Sequence, residues 1–417
     1  MIGLVVVSSN IEKQKEVGEK LKKLAISTFN KFSNIEFFDL VFNEEMAKNL
    51  VGRIKKDVCG LIVLVATGGT ERTIRALAKL RKPMLILANP FNNSLASSLE
   101  AYSKIKEKYR VKLFYSDFNS DFLHEIKSFS EVCEVISKLK DCKIGVIGKP
   151  SKWPLSKRNK KLIRRLGPSL IQLKIRDFLK EIEKVNEIEA NNLLKRLRLG
   201  KIKVSKKELI KAIKVYLALK GLASKYKLSA VSIKCFDIMN YNYTPCLGVS
   251  LCNDDNLIAG CEADLQSILT MIIVSFVSNQ QCWMANPSRI SFEKNTILIA
   301  HCTIATKMIS DSSKIELITH MESGSGVAIR GPLKNKEITL VRLGGNLEKM
   351  LIATGKIVKS NMKEENVCRT QAEVKLKGKI ERWIENSLGN HQVLVYGNIE
   401  KKLIDFCRFK NIEAIVI

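Results

Sequence analysis

The chain is poor in the residues that mark several functional classes. Eleven cysteines are scattered through 417 residues, and no two of them form a CxxC pair. That spacing excludes a zinc ribbon, and the odd count argues against a disulfide framework, so reduced thiols and a cytoplasmic setting are expected. Aromatic residues make up only 6% of the chain. With no recognisable nucleic-acid motif, this scarcity weighs against a nucleic-acid partner despite a formal net charge of +28. The positive excess is spread along the chain and densest from Lys152 to Lys227, as in a lysine-rich solvated surface or one that attracts anionic metabolites. No apolar run approaches the roughly 18 residues of a membrane span, so no membrane partner is expected. The start, MIGLVVVSSN, lacks the basic flank and small-residue cleavage site of a signal peptide and reads as a first strand. No GxGxxG follows that strand, so a dinucleotide site is not expected. Histidines number only four, which narrows any imidazole chemistry to His124, His301, His320 and His391.

What is present is strand–helix alternation. Gly3–Val7, Ile35–Val41, Leu61–Ala66, Pro83–Ala88, Val111–Tyr115 and Lys143–Ile147 are short aliphatic runs. Amphipathic stretches such as Glu12–Ala25, Glu44–Lys55 and Leu95–Lys108 lie between them, a pattern that predicts βαβ units on a parallel sheet. The turns Thr67–Glu71 and Asn89–Ser94 fall at carboxyl ends of strands, where such sheets bind ligands. The segment Gly148–Pro154, with two prolines and a glycine, predicts a boundary. Residues 155–228 are basic, with aliphatic residues at helical spacings, and read as a pair of solvated helices. A strand at Val231–Lys234 leads into a Tyr- and Asn-rich loop. Residues 314–376 read as short strands with glycine turns (Ile315–Thr319, Val327–Ile329, Glu337–Leu343, Leu351–Val358, Ala372–Leu376), followed by Val393–Tyr396, a helix near Lys401–Phe409 and a last strand, Ala414–Ile417. That spacing suggests a small antiparallel barrel or sandwich.

The stretch Leu257–Thr303 organises the second half. Asp264 stands at the start of an apolar run of helix length, Leu265–Val277, and is a good N-cap. Glu262 lies just outside that helix end, between an apolar loop and an apolar helix, where a free charge is costly. The run Thr296–Ala300 reads as a strand closed by His301-Cys302. His301, His320 and His391 all end or follow strand runs, whereas His124 lies in a basic helical patch. Glu262 with one or more of these imidazoles forms a candidate O/N metal site, suited to Mn²⁺ or Mg²⁺ rather than to a soft metal.

Several segments resemble one family. The run CEADLQSILTMIIVSFVSNQQCWMANPS is similar to the part of the L-fucose isomerase/L-arabinose isomerase superfamily that starts with the catalytic Glu at a helix start. The tail GNHQVLVYGNIEKKLIDFC resembles that superfamily's C-terminal segment, in which a Gly-Asn-His turn supplies a metal ligand. The ATGGTE and NPFNNSLASSLEA turns and IKCF are also similar. The resemblance covers nearly the whole chain and leans to the L-fucose isomerase side, in particular its archaeal-type members. It implies that Glu262 binds the metal and acts as acid/base, and that His391 binds the metal. It places the family's second carboxylate on Asn286, which can ligate a hard cation but carries neither proton nor charge. It further implies a metal-assisted ketol-isomerase that moves a proton between C1 and C2 of a sugar or sugar phosphate. Mn²⁺ or another hard divalent cation is the implied cofactor. A homo-oligomer is implied too, with a neighbour's N-terminal domain closing the pocket. His301, His320, Glu322 and Arg369 are the candidate substrate contacts, Arg369 for a phosphate or carboxylate. The alternative is a sugar- or anion-binding homologue without isomerase activity, its metal site impaired by Asn286. The expected architecture is α/β in three parts. An N-terminal Rossmann-like parallel-sheet domain spans 1–150. The basic helical stretch and a second α/β domain carrying Glu262 span 151–312. A small antiparallel β-barrel domain with the His391 turn spans 313–417.

Overall fold

A computed structural model describes residues 1–30, 32–54, 57–117, 120–150, 153–197 and 200–417. Lys55, at the end of one expected helix, and Ser151 and Lys152, in the expected boundary, lie outside the described residues. The chain forms two compact units: Met1–Lys138 with Ile404–Ile412, and Leu139–Leu403 with Glu413–Ile417.

The first unit holds five parallel strands: β1 (Ile2–Val7), β2 (Ile35–Val41), β3 (Gly60–Val65), β4 (Met84–Ala88) and β5 (Val111–Tyr115). Their order is β2-β1-β3-β4-β5, the doubly wound arrangement in which the chain reverses direction between β1 and β3. β1, β3 and β4 are buried at every position. Uniformly apolar strands of this kind need cover on both faces, which intervening helices such as Glu12–Phe29 and Ser94–Ile105 supply. At the reversal point the turns after β1, β3 and β4 are tied together. Ser9 N–H donates to Thr67 Oγ1 (2.8 Å), Gly68 N–H to the Asn92 carbonyl (2.7 Å) and Asn89 Nδ2 to the Val65 carbonyl (2.7 Å). They border a cleft of about 410 Å³.

The second unit begins with β6 (Lys143–Ile147) and β7 (Ser169–Leu173). There follow β8 (Lys201–Ile202), β9 (Ala230–Ile233) and β10 (Ile258–Gly260). β6, which the alternation attaches to the first sheet, instead pairs in parallel with β7 and β9, giving the order β10-β9-β6-β7. Among the described residues the basic stretch contains β7, β8 and four helices rather than two: Lys157–Leu166, Ile175–Lys184, Glu187–Arg196 and Lys206–Tyr226. The last is a core helix, burying Leu209, Ile213, Leu219 and Leu222. The segment after the Tyr- and Asn-rich loop is also helical, at Cys246–Asp254. Every residue of that helix is buried, so it has no polar face and leaves no helical period in the sequence.

The remaining strands are β11 (Trp283–Ser291), β12 (Thr296–His301), β13 (Glu316–Ile318), β14 (Ala328–Arg330), β15 (Glu337–Gly344), β16 (Lys349–Ser360), β17 (Thr370–Leu376), β18 (Gln392–Tyr396) and β19 (Glu413–Val416). Six of them form an antiparallel barrel in the order β15-β18-β11-β12-β17-β16, closed by the β15–β16 pairing, and β19 joins β16 in parallel. The barrel is therefore mixed α/β architecture's antiparallel partner to the parallel sheets, as expected, but with different members. β11 and β12 belong to it. β13 and β14 do not, forming instead a small sheet with β8. Pro287 sits inside β11, next to a register shift between Pro287 and Arg289, the kind of irregularity at which a sheet accepts a residue without an N–H. Trp283, Ile297, Ile299, Leu340, Leu351 and Leu394 bring barrel strands into the same core as Ile147, Val231 and Ile233 of the parallel sheet.

Candidate metal centre

The centre is built where β10 ends. Glu262 and Ala263 follow it in left-handed backbone, at φ 57° and 49°. For residues with a Cβ this costs about 1–2 kcal/mol each. The turn is held because Ala263 N–H donates to the Ile233 carbonyl at the end of β9 (3.0 Å). The chain then enters the helix Leu265–Ser278, whose N-cap is Asp264. Asp264 Oδ1 accepts from the N–H groups of Gln266 and Ser267, both at 3.0 Å. Its other oxygen accepts from Ser267 Oγ (2.8 Å) and Arg342 Nη1 (3.1 Å) and lies 2.9 Å from His391 Nδ1.

His391 is fully buried (0% exposed), and its Nε2 lies 3.2 Å from Glu262 Oε1. It comes from the turn before β18, and the barrel brings it next to His301 at the end of β12. The two rings are 5.7 Å apart and inclined at 64°. His301 Nδ1 lies 2.9 Å from Thr303 Oγ1. One potential ligand atom from each of Glu262, His301 and His391 falls within 4.8 Å of the others.

Arg342 on β15 joins the parts. It donates to Asp264, to Ser267 Oγ, to the His391 carbonyl (3.2 Å) and, through Nη2, to Gln266 Oε1 (3.3 Å). Gly389, at φ 147°, makes room for it: a Cβ there would stand 2.8 Å from Arg342 Nη2. Burial alone would raise the Asp264 carboxyl. The hydrogen bond from His391 and the Arg342 charge outweigh it and hold the group well below the usual carboxylate range. Burial likewise pushes His391 down, but its bonds to Asp264 and Glu262 prevail and keep the imidazole above its ordinary value.

The three converging donors fit a divalent cation. With Asp264 taking its Nδ1 hydrogen, loss of the Nε2 proton would leave the Nε2 lone pair of His391 on the Glu262 side, the usual orientation of a metal-binding imidazole. Two imidazoles and one carboxylate suit Mn²⁺ and its transition-metal neighbours better than Mg²⁺.

Asn286 and the other expected contacts are placed as follows. Asn286 pairs with Ala300, one residue before His301, and its Oδ1 accepts from Asn390 Nδ2 (2.8 Å), next to His391 in the chain. His320 and Arg369 form a second group. Arg369 Nε donates to the Thr319 carbonyl (2.8 Å), and His320 Nδ1 accepts from Ser323 N–H (3.3 Å). Burial, then the Arg369 charge, lowers the His320 pKa. Thr370, which follows Arg369, stands opposite His301 in the β12–β17 ladder, so this group borders the triad. Glu322 is exposed on the turn after His320, outside the triad. His124 is exposed. Asp264 was legible as a cap but not as the partner of His391, and Arg342 was not singled out. Its signal was a charge in the middle of an otherwise apolar strand, EITLVRLG.

No protein-family model matches the chain. It is 24% identical over 297 residues to the sulfoquinovose isomerase of Priestia megaterium, across 68% of this chain and 66% of that protein. It is 22% identical over 354 residues to the sulfoquinovose isomerase of a Clostridium species, across 80% of this chain and 78% of that protein. The protein of that name from Alkalicoccus urumqiensis matches at 22% over 210 residues, across 48% and 47%. The match to the Priestia protein thus spans just under two thirds of its length. The chain is a distant relative of proteins named as sugar isomerases.

Proposed function

We propose that the chain is an aldose–ketose isomerase acting on a sugar, with Glu262, His301 and His391 as its metal ligands and Mn²⁺ as the metal. The observation that carries this reading is the convergence of those three side chains, with His391 oriented by a buried carboxylate. A bound divalent cation would polarise the sugar's carbonyl and hydroxyl oxygens, which acidifies the hydrogen on the carbon between them. Glu262, with 20% of its side chain exposed, is the member open to a substrate. It takes the proton from C2 of the open-chain aldose and returns it to C1, while the hydroxyl proton passes from O2 to O1. Asn286 cannot share that transfer, so one carboxylate serves both ends of it. Asp264 stays charged and holds His391; it does not move a proton. Arg369 is the group for a negatively charged substrate tail, which agrees with the sulfo-sugar named for the relatives. The homo-oligomer implied by the family resemblance belongs to the same proposal.

A second reading is a sugar- or anion-binding protein without isomerase activity. Asn286 favours it, since its carbonyl is engaged by Asn390 and brings no charge to the centre. One experiment separates the two. Metal content and Mn²⁺ affinity are measured for the wild type, Glu262→Gln and His391→Ala, together with deuterium uptake at the sugar's C1 and C2 in heavy water. Stoichiometric Mn²⁺ that is lost in both variants, with exchange only in the wild type, supports the isomerase. Metal without exchange supports the binding protein. No metal at millimolar Mn²⁺ rejects the centre itself.

A further inference from the structure

The helices of the first unit border a second cleft, apart from the one at its strand ends. The helix Glu71–Ala78 carries Arg72 and Arg75 three residues apart, and Lys79 follows four residues later as its C-cap, so the three share one face. The neighbouring helix, Ser94–Ile105, carries Lys104 in its last turn. The chain continues that turn, with Lys108 N–H and Tyr109 N–H both donating to the Ile105 carbonyl (3.0 and 2.9 Å). Arg72, Arg75, Lys79, Lys104 and Lys108 are all exposed, and together they line a cleft of about 370 Å³, a size that holds a small molecule. Among the described residues lining it the one carboxylate is Glu44, which Lys48 already holds at 2.8 Å. Of the five cations, only Lys104 has an ion-pair partner among the described residues, Glu100 at 2.7 Å. The solvated face of the helix Glu12–Phe29 is built differently, with Lys15 paired to Glu12 and Lys22 to Glu19. Here like charges gather at helical spacing, which weakens a helix, and they gather in a concavity, where their fields add.

We propose that this cleft binds a small oligophosphate: a di- or triphosphate chain, free or carried by a nucleoside. The guanidinium forks of Arg72 and Arg75 suit paired hydrogen bonds to phosphate oxygens, and Lys79, Lys104 and Lys108 meet the remaining charge. A single carboxylate would leave most of the five cations unmatched, so the ligand carries several negative charges. A nucleic-acid backbone spreads its charges along an extended track, whereas these cations surround one cleft, which favours a compact anion. Tyr109, half-buried, lines the same cleft and offers a ring on which a base can stack.

The inference concerns the first unit alone and stands independently of the isomerase reading. Its test is isothermal titration of the full chain with pyrophosphate, tripolyphosphate and ATP, at about 150 mM salt to screen loose counterion attraction. Saturable binding is expected, weakened about tenfold or more by Arg72→Ala with Arg75→Ala, since one lost charge-assisted hydrogen bond is worth about that factor. Lys160→Ala with Lys161→Ala removes the same charge from exposed positions of another helix and should leave binding intact. The urea midpoint of the arginine variant should hold or rise, because repulsion is relieved, which separates lost binding from lost folding. ATP binding tighter than tripolyphosphate, with the difference removed by Tyr109→Ala, identifies a nucleotide; equal affinities identify the phosphate chain alone as the ligand. No saturable binding, equal weakening in both charge variants, or binding of an oligonucleotide but not of tripolyphosphate would each overturn the proposal.

Discussion

At the scale of single residues, the centre depends on backbone that side-chain identity does not announce. Nothing in Cys-Glu-Ala-Asp signals that Glu262 and Ala263 adopt left-handed conformations. The strain turns Glu262 toward His391 while the next residue but one caps a helix. Ala263→Gly should relieve about 1–2 kcal/mol of it, less about 0.5–1 kcal/mol for the added freedom of the unfolded chain. A rise of roughly 0.5–1 kcal/mol in urea stability is therefore expected, and a fall would mean that the methyl contributes packing which outweighs the strain. His320 offers a pH test. Its folded pKa lies below the ordinary value, so the unfolded chain takes up a proton at higher pH than the folded one does. Its contribution to stability is complete above about pH 6.5 and is lost as the pH falls through the window below it. His320→Asn should flatten that limb of the stability curve, and an unchanged slope between pH 5 and pH 6.5 would rule it out. As for what could be read beforehand, Glu262 and His391 were legible through family resemblance, and His301 through its place after a strand run. The bond between Asp264 and His391 was not, because it joins residues 127 apart through the packing of a helix start against a barrel turn.

At the scale of elements, aliphatic runs located most strands, but pairing partners were set by packing that the runs do not encode. Lys143–Ile147 reads as a sixth strand of the first sheet because it follows five similar ones. It pairs with β7 and β9. β11 carries Asn286 and Pro287 in its middle, which break the apolar pattern that marks the other strands. β13 and β14 looked like barrel strands because their length and composition match those that are. The Gly-Asn-His turn is an element whose local sequence does state its job. Gly389 combines φ 147° with a Cβ position 2.8 Å from the Arg342 guanidinium, so alanine there is strained and also displaces the arginine. Gly389→Ala should cost about 1–3 kcal/mol of stability. It should also weaken Mn²⁺ binding roughly tenfold or more, as loss of outer support does in metal sites. Isothermal titration on the folded variant checks the second effect. Unchanged affinity would show that Arg342 does not position His391.

At the scale of the whole molecule, the two parallel sheets share a plan. β10-β9-β6-β7 reads, from its other end, in the same relative order as the first four strands of β2-β1-β3-β4-β5, and each sheet presents its turns at carboxyl strand ends. Strand–helix alternation made that plan legible. It could not show that Ile404–Ile412, near the C-terminus, belongs to the first unit, because a short amphipathic helix carries no address. The address is a buried charge cluster. Lys112 on β5 lies 2.6 Å from Asp405 Oδ2 and 2.5 Å from Glu125 Oε1, and Glu125 and Asp405 are 0% and 2% exposed. Burial raises the Asp405 pKa, with Lys112 opposing, and Arg408 Nη1, 3.8 Å from Asp405 Oδ1, gives further but more distant support. Lys112→Met would leave two buried carboxylates facing each other without their shared cation, at a cost of about 3–5 kcal/mol. Adding Glu125→Gln and Asp405→Asn removes both carboxylate charges and should recover more than half of that loss. If lysine acted only through its aliphatic stem, methionine would replace it at little cost and the triple variant would gain nothing. Urea denaturation of the single and triple variants therefore tests whether charge, rather than apolar contact, ties the C-terminal helix to the first sheet.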